Sequence, residues 1–100
     1  MATQRVHKEI RYAEHLKLRI KLRQYTDRLL AEIYEQSTRR YYDTHTEHHI
    51  AVMDIRTKGQ IRTFAVAYDD YFSYVDIVTI HPIRKNQINN RLESGRWIKM

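Results

Sequence analysis

The sequence contains no cysteine, two glycines and a single proline, Pro82. Without cysteine the chain forms no disulfide and no thiolate metal site, which suits a cytoplasmic protein. With so little glycine, the glycine-rich loops that hold phosphates in many nucleotide-binding enzymes are excluded. No stretch approaches the roughly 20 apolar residues of a membrane helix, and the first residues lack the apolar segment of a signal peptide. We therefore expect a cytoplasmic protein without membrane contact.

Charge, by contrast, is plentiful and mostly positive. The chain has 18 Lys and Arg against 12 Asp and Glu, a formal net charge of +6. Twelve of the positive residues are arginine, whose planar guanidinium suits two-point contact with phosphate. This balance favours a polyanionic partner, and nucleic acid is the first to consider. A hydrophobic fraction of 42% argues against disorder, and 100 residues are enough for one modest core.

The first third of the chain predicts a long helix. No glycine or proline interrupts residues 4–36, and Thr3 is a suitable N-cap. The apolar positions change face between Leu16 and Leu22, which indicates either one long or kinked helix or two helices folded back on each other. Because no turn residue lies at the switch, we favour the long or kinked helix. Residues 1–20 would then project, so we expect them to pair with a second copy or bind a partner.

Three later runs are rich in residues that favour strands. They extend from His48 to Arg56, from Ile61 to Tyr68 and from Tyr74 to His81. The short links between them predict an antiparallel meander. After Pro82 a short helix is predicted from Asn86 to Glu93, and the residues that follow Gly95 return as a fourth strand or a clamp over the core.

The predicted fold is therefore α+β in a single domain of residues 1–100. It has a long N-terminal helix, a three- to four-stranded antiparallel meander and a short C-terminal helix.

The end of the third run carries two chemically useful side chains. Thr79 and His81 are two residues apart, so they share one face of the strand. Pro82 follows at once and ends the ladder, because proline cannot donate a backbone hydrogen bond. A hydroxyl beside an imidazole at a strand terminus is a candidate catalytic pair.

Three more histidines, His45, His48 and His49, lie just before and at the start of the first run. One interpretation is a polar lead-in to the strand, and another is that one of them, for which we take His48, joins His81 in an active site. A zinc site would lack an obvious third and fourth ligand, although His81 or Asp54 could complete it. We therefore predict no metal and no other cofactor.

Arginine and tyrosine are interleaved at Arg39, Arg40 and Tyr41. Such clusters stack on unpaired bases and contact phosphates. The alternative is that the tyrosines are half-buried residues with a polar tip. Further candidate nucleic-acid-binding residues are Arg56, Arg62, Arg84 and Arg96.

The segment Ile77 to Pro82, IVTIHP, follows a hairpin from His48 to Tyr68 and resembles the barnase–EndoU–colicin–RelE-like group of small ribonucleases and toxins. The resemblance covers roughly residues 47–82. It implies that Thr79 and His81 hold the group's active-site positions at the end of the last strand, and that one of the three upstream histidines is their counterpart. The long N-terminal helix and the tail after Pro82 depart from the group's pattern.

The first functional hypothesis is a metal-independent, toxin-like ribonuclease. His81 would act as general acid or base, Thr79 would orient the RNA, and arginines would neutralise the phosphate. The alternatives are a non-enzymatic nucleic-acid-binding protein and a small phage- or plasmid-encoded inhibitor that docks on a nucleic-acid-handling complex. The expected partners are thus nucleic acid, with RNA favoured, a cognate inhibitor or other protein, and a second copy of the chain.

Overall fold

Nine elements follow one another in the computed structural model, which describes residues 8–23 and 25–100. Its strands form one six-stranded sheet in the order β1-β5-β4-β3-β2-β6, in which only β1 and β5 pair in parallel. The elements are β1 Glu9–Tyr12, α1 Glu14–Arg23, α2 Asp27–Gln36, β2 Arg39–Asp43, β3 His49–Thr57, β4 Gln60–Asp70, β5 Tyr74–Pro82, α3 Lys85–Glu93 and β6 Trp97–Lys99.

The predicted long N-terminal helix is wrong. The described part of that region is a strand followed by two helices of ten residues each. Ile10 and Tyr12 alternate with polar neighbours and pair with Val75 and Ile77 of β5. Their burial against the sheet outweighs the helical spacing that Ile10 shares with Leu16, because tertiary packing overrides a weak local preference. The predicted projecting helix over residues 1–20 lies partly outside the described residues, and its described portion is β1 and the first part of α1.

The helical region is interrupted between α1 and α2, although neither glycine nor proline lies there. Thr26 has an extended backbone, and its hydroxyl accepts a hydrogen bond from the backbone N–H of Leu29 at 3.1 Å. A threonine N-cap of this kind satisfies one of the donors that a helix start leaves unpaired. Asp27 then places a negative charge in the first turn, where the helix dipole favours it. The helical region is therefore interrupted after Arg23, later than the change of face between Leu16 and Leu22.

The three strands expected between His48 and His81 are present as β3, β4 and β5 and pair as an antiparallel meander. They form the centre of a larger sheet, since β2 and β6 extend it on one side and β1 on the other. The turn between β3 and β4 contains Lys58 and Gly59, both with positive φ, as tight hairpins require. We refer to this turn and the last residues of β5 as the hairpin end of the sheet.

Helices cover the sheet on both faces. On the helix-pair face, α1 and α2 bury Leu16, Ile20, Leu30 and Ile33 in one cluster with side chains of the central strands, Ala51, Phe64, Val66, Tyr68, Val75, Ile77 and Ile80. On the α3 face, Ile83 and Ile88 lie in a second cluster with Tyr41, Ile50, Val52, Ala65, Ala67 and Trp97. Alternate residues of β3 and β4 thus belong to opposite faces, as a strand requires.

Asp43 fixes the C-terminal strand to the sheet. It is buried, and its carboxylate accepts hydrogen bonds from the backbone of His45 at 2.9 Å and Thr46 at 3.2 Å. The same carboxylate accepts from the indole of Trp97 at 3.1 Å and forms an ion pair with Arg96, also at 3.1 Å. Burial alone would raise the pKa of Asp43, but these bonds outweigh it and hold that pKa well below its ordinary value.

Candidate nucleic-acid interface

Some of the predicted nucleic-acid-binding residues already form hydrogen bonds or ion pairs with other residues of the protein. Arg39 forms an ion pair with Asp54 at 3.0 Å. Arg40 donates to the hydroxyl of Tyr68 at 3.0 Å and to the backbone carbonyls of Ser37 and Tyr34. These bonds hold β2 against α2 and β4. An incoming phosphate would have to compete with them for both guanidinium groups.

Tyr41 and Arg96 are likewise part of the C-terminal anchor. Tyr41 is buried and its ring stacks on Trp97, with 5.2 Å between ring centroids and 23° between planes. The guanidinium of Arg96 is bound to Asp43. Their contacts are those of a hydrophobic core and a buried ion pair, so neither ring face nor cation is offered to a base.

Thr79 and His81 do share one face of β5. They pair with Ala67 and Ala65 of β4, whose side chains belong to the α3-face cluster, and both are half-buried. His48 lies beside the other end of β4, where its Nδ1 is 2.7 Å from the Asp69 carboxylate. Since Ala65 and Asp69 are four residues apart, the two histidines are separated by about 13 Å along the strands. The structure therefore does not bring His48 and His81 together.

The other two histidines of the cluster lie apart from His81 as well. His49 stacks on Tyr68 with 5.5 Å between ring centroids, on the helix-pair face, and His45 is exposed in the turn after β2. Within residues 8–23 and 25–100, no group of three or more His, Asp or Glu side chains is placed to hold a metal ion.

A concave pocket lies at the hairpin end, on the helix-pair face. Its volume is about 440 Å³, within the range of small-molecule sites. Residues from the end of α1, the start of α2 and the β3–β4 hairpin contribute to it. We call it the hairpin pocket, and its lining residues are Arg23, Tyr25, Thr26, Leu29, Ile55, Arg56, Thr57, Lys58, Gln60, Arg62 and Phe64.

The hairpin pocket is electrostatically one-sided. Four of its lining residues are cationic, and none of its described lining residues is Asp or Glu. In contrast to Arg39 and Arg96, the four make no ion pair with any carboxylate that the structure describes. Cations without nearby counter-charges create a positive potential that attracts anions.

Two aromatic residues, Tyr25 and Phe64, are among those that line the hairpin pocket. Phe64 is buried and meets half-buried Tyr25 edge to face, with 5.6 Å between ring centroids. The Arg62 guanidinium carbon lies 5.3 Å from the Phe64 ring centroid, within cation–π distance. The Arg62 side chain thus contacts the Phe64 ring, and the residue is exposed.

A second pocket lies on the other side of the same sheet end, with a volume also of about 440 Å³. We call it the α3 pocket, because it adjoins the start of that helix. There the Gln87 side chain accepts a hydrogen bond from the backbone N–H of Arg84 at 2.8 Å. Its lining residues are Arg62, Thr63, Pro82, Ile83, Arg84 and Gln87.

Three of the predicted nucleic-acid-binding arginines therefore lie at one end of the sheet. Arg56 and Arg62 line the hairpin pocket, and Arg62 and Arg84 line the α3 pocket. Sequence reasoning missed Lys58, although its place between Arg56 and Arg62 in the hairpin was a usable signal. It also missed Arg23 and Tyr25, which reach this site only because the helical region breaks where a long helix was expected.

Among the described residues, no helix is long and apolar enough to cross a membrane. Comparison of the chain with protein-family models, with curated proteins and with solved structures finds no match in any of the three. The resemblance to small ribonucleases and toxins stays a prediction.

Proposed function

We propose that this protein binds single-stranded nucleic acid, with RNA favoured, at the hairpin end of its sheet, and does so without cleaving it. One observation carries the proposal. The hairpin pocket combines aromatic side chains with four cations and no carboxylate among its described lining residues. An aromatic surface beside a positive groove is the combination that proteins use for unpaired bases and their phosphates.

The size of the hairpin pocket favours a single strand over a duplex. A base can enter a pocket of this size only if it is unstacked, and unpaired bases stack on aromatic rings or on arginine guanidinium planes. Arg62, supported by Phe64, offers such a plane, and half-buried Tyr25 offers part of a ring. Arg23, Arg56 and Lys58 surround this surface and would neutralise the adjoining phosphates.

Binding of a fluorescently labelled RNA of about 16 nucleotides, in buffer with a chelator, tests the proposal. Fluorescence anisotropy should report an affinity that falls as salt rises from about 50 to 200 mM, because each phosphate contact releases counterions. With three to five contacts the slope of log K against log salt should be about −2 to −4. The RNA should remain intact on a denaturing gel. Absence of binding at low salt, or binding that salt does not change, would contradict the proposal.

Metal-independent cleavage at His81 is the second candidate. It is supported by the shared face of Thr79 and His81 and by the α3 pocket, which begins at the next residue, Pro82, and contains Arg62 and Arg84. His81 would accept the proton of the 2′-hydroxyl as that oxygen attacks the phosphorus and would return it to the departing 5′-oxygen, and the arginines would stabilise the charged phosphorane. In the same chelator assay, cleavage products that disappear with His81→Ala would establish this candidate. Intact RNA after long incubation would eliminate it.

A further inference from the structure

Arg62 is common to the two pockets at the hairpin end. The hairpin pocket lies on the helix-pair face and the α3 pocket on the α3 face, and Arg62 is a lining residue of both. The two residues that follow it on β4 each line a different pocket: Phe64 lines the hairpin pocket and Thr63 lines the α3 pocket. The two cavities therefore adjoin at Arg62 and run around the end of the sheet.

The two pockets differ in chemistry. Apolar and aromatic side chains, Tyr25, Leu29, Ile55 and Phe64, contribute to the hairpin pocket, which suits a base. The α3 pocket is lined largely by hydrogen-bonding and cationic groups, including Arg62, Arg84 and Gln87, which suits a phosphate and sugar. One residue of the α3 pocket, Thr63, donates a hydrogen bond to the carboxylate of Asp54 at 2.6 Å. That carboxylate is already paired with Arg39.

Arg62 is well placed to bridge two such subsites. Its guanidinium carbon lies 5.3 Å from the Phe64 ring centroid, and no described carboxylate forms an ion pair with it. Its N–H groups remain available for two-point contact with a phosphate, the geometry that arginine provides and lysine does not.

We propose that the two pockets form one continuous track for consecutive nucleotides. One unstacked base occupies the hairpin pocket, Arg62 holds the phosphate that follows it, and the next nucleotide lies against Arg84 and Gln87. The ligand class is a single strand of two or more linked nucleotides rather than a free mononucleotide. This inference rests on the proposed function, which it makes more specific.

Linkage of the two subsites has a measurable consequence. Once one nucleotide is bound, the next binds as an intramolecular event, so a ligand that spans both pockets gains affinity beyond that of either part. A series of oligouridylates from one to about eight nucleotides should show a rise of at least about tenfold when the strand first spans both pockets. Isothermal titration calorimetry at low salt, with uridine monophosphate as the shortest ligand, measures this rise.

Four variants separate the subsites. Arg56→Ala should weaken the mononucleotide and the longer strands alike, whereas Arg84→Ala should weaken only strands long enough to reach the α3 pocket. Arg62→Ala should remove most of the length-dependent gain, and Arg62→Lys should restore only part of it because lysine lacks the planar fork. Arg56, Arg62 and Arg84 are exposed, so circular dichroism should show that each variant folds as the parent does.

The outcomes distinguish the two proposals. If no oligouridylate binds the parent protein, the proposed function itself fails. If long strands bind but Arg84→Ala has no effect at any length, or Arg62→Ala weakens all lengths by one common factor, the continuous track is wrong while nucleic-acid binding stands.

Discussion

Replacing Arg56 and Lys58 together by glutamate should weaken binding of single-stranded RNA by about 100-fold at low salt. One unit charge on a side chain and one on a phosphate, about 5 Å apart, interact by about 0.8 kcal/mol even in bulk water. Each substitution reverses a unit charge, so the pair should cost close to 3 kcal/mol before screening, which is about 100-fold in affinity. The slope of log K against log salt should also become shallower by about 1.4, because two contacts are lost.

A matched control distinguishes a site from a general effect of charge. Lys17→Glu with Lys99→Glu changes the net charge by the same amount, and both lysines are exposed and absent from the linings of the two pockets. This control should lower the affinity by less than about tenfold, since only long-range and largely screened interactions change. Equal losses in the two double variants would show that binding follows total charge and would contradict a site at the hairpin end.

Asp43→Asn should lower the free energy of unfolding by about 2–4 kcal/mol. The Asp43 carboxylate accepts hydrogen bonds from four groups, the backbones of His45 and Thr46, the Trp97 indole and the Arg96 guanidinium. In Asp43→Asn, the amide NH2 would face some of these N–H groups and could not accept their hydrogen bonds. Arg96 would also lose its counter-charge. Breaking one member of a buried charged network costs several kcal/mol. Urea denaturation followed by tryptophan fluorescence measures the loss.

The effect should depend on pH in a definite direction. Because the pKa of Asp43 in the folded protein is held well below the ordinary value, its stabilisation is fully present above about pH 4. That stabilisation is lost as the pH falls below the ordinary aspartate pKa towards the folded one. The stability difference between parent and variant should therefore be largest above about pH 4 and shrink in more acidic buffer.

Asp54→Asn is the control for Asp43→Asn. Asp54 also pairs with an arginine, Arg39 at 3.0 Å, but the two side chains are 54% and 42% exposed. Exposed ion pairs contribute about 1 kcal/mol or less. If Asp54→Asn destabilised the protein as much as Asp43→Asn, burial of Asp43 would not explain its contribution.

The central strands were predictable because their pattern is local. Residues of β3 and β4 alternate between two buried faces, and Gly59 marks the turn between them, so their existence and pairing followed from spacing alone. The strand β1 near the start of the chain was not predictable in the same way. Ile10 fits both a helical and a strand period, and only its pairing with Val75 of distant β5 decides between them.

The site was predictable only in part, for a related reason. Arginines such as Arg39, Arg56 and Arg96 look alike in a sequence, yet in the structure two of them are paired with carboxylates and one lines an open pocket. The partners Asp54 and Asp43 are brought to them by sheet register and by the C-terminal strand. Whether an arginine is available to bind a ligand therefore depends on the tertiary structure and cannot be predicted from composition.

Photo-cross-linking of a bound uridine-containing RNA, with the modified residues mapped by mass spectrometry, tests the central claim most directly. The account predicts adducts at Tyr25 and within residues 56–64. Tyr71 and Phe72, which are 46% and 99% exposed in the turn at the other end of the sheet, provide the internal control. Adducts that follow exposure, at Tyr71 and Phe72 rather than at the hairpin pocket, would contradict the account.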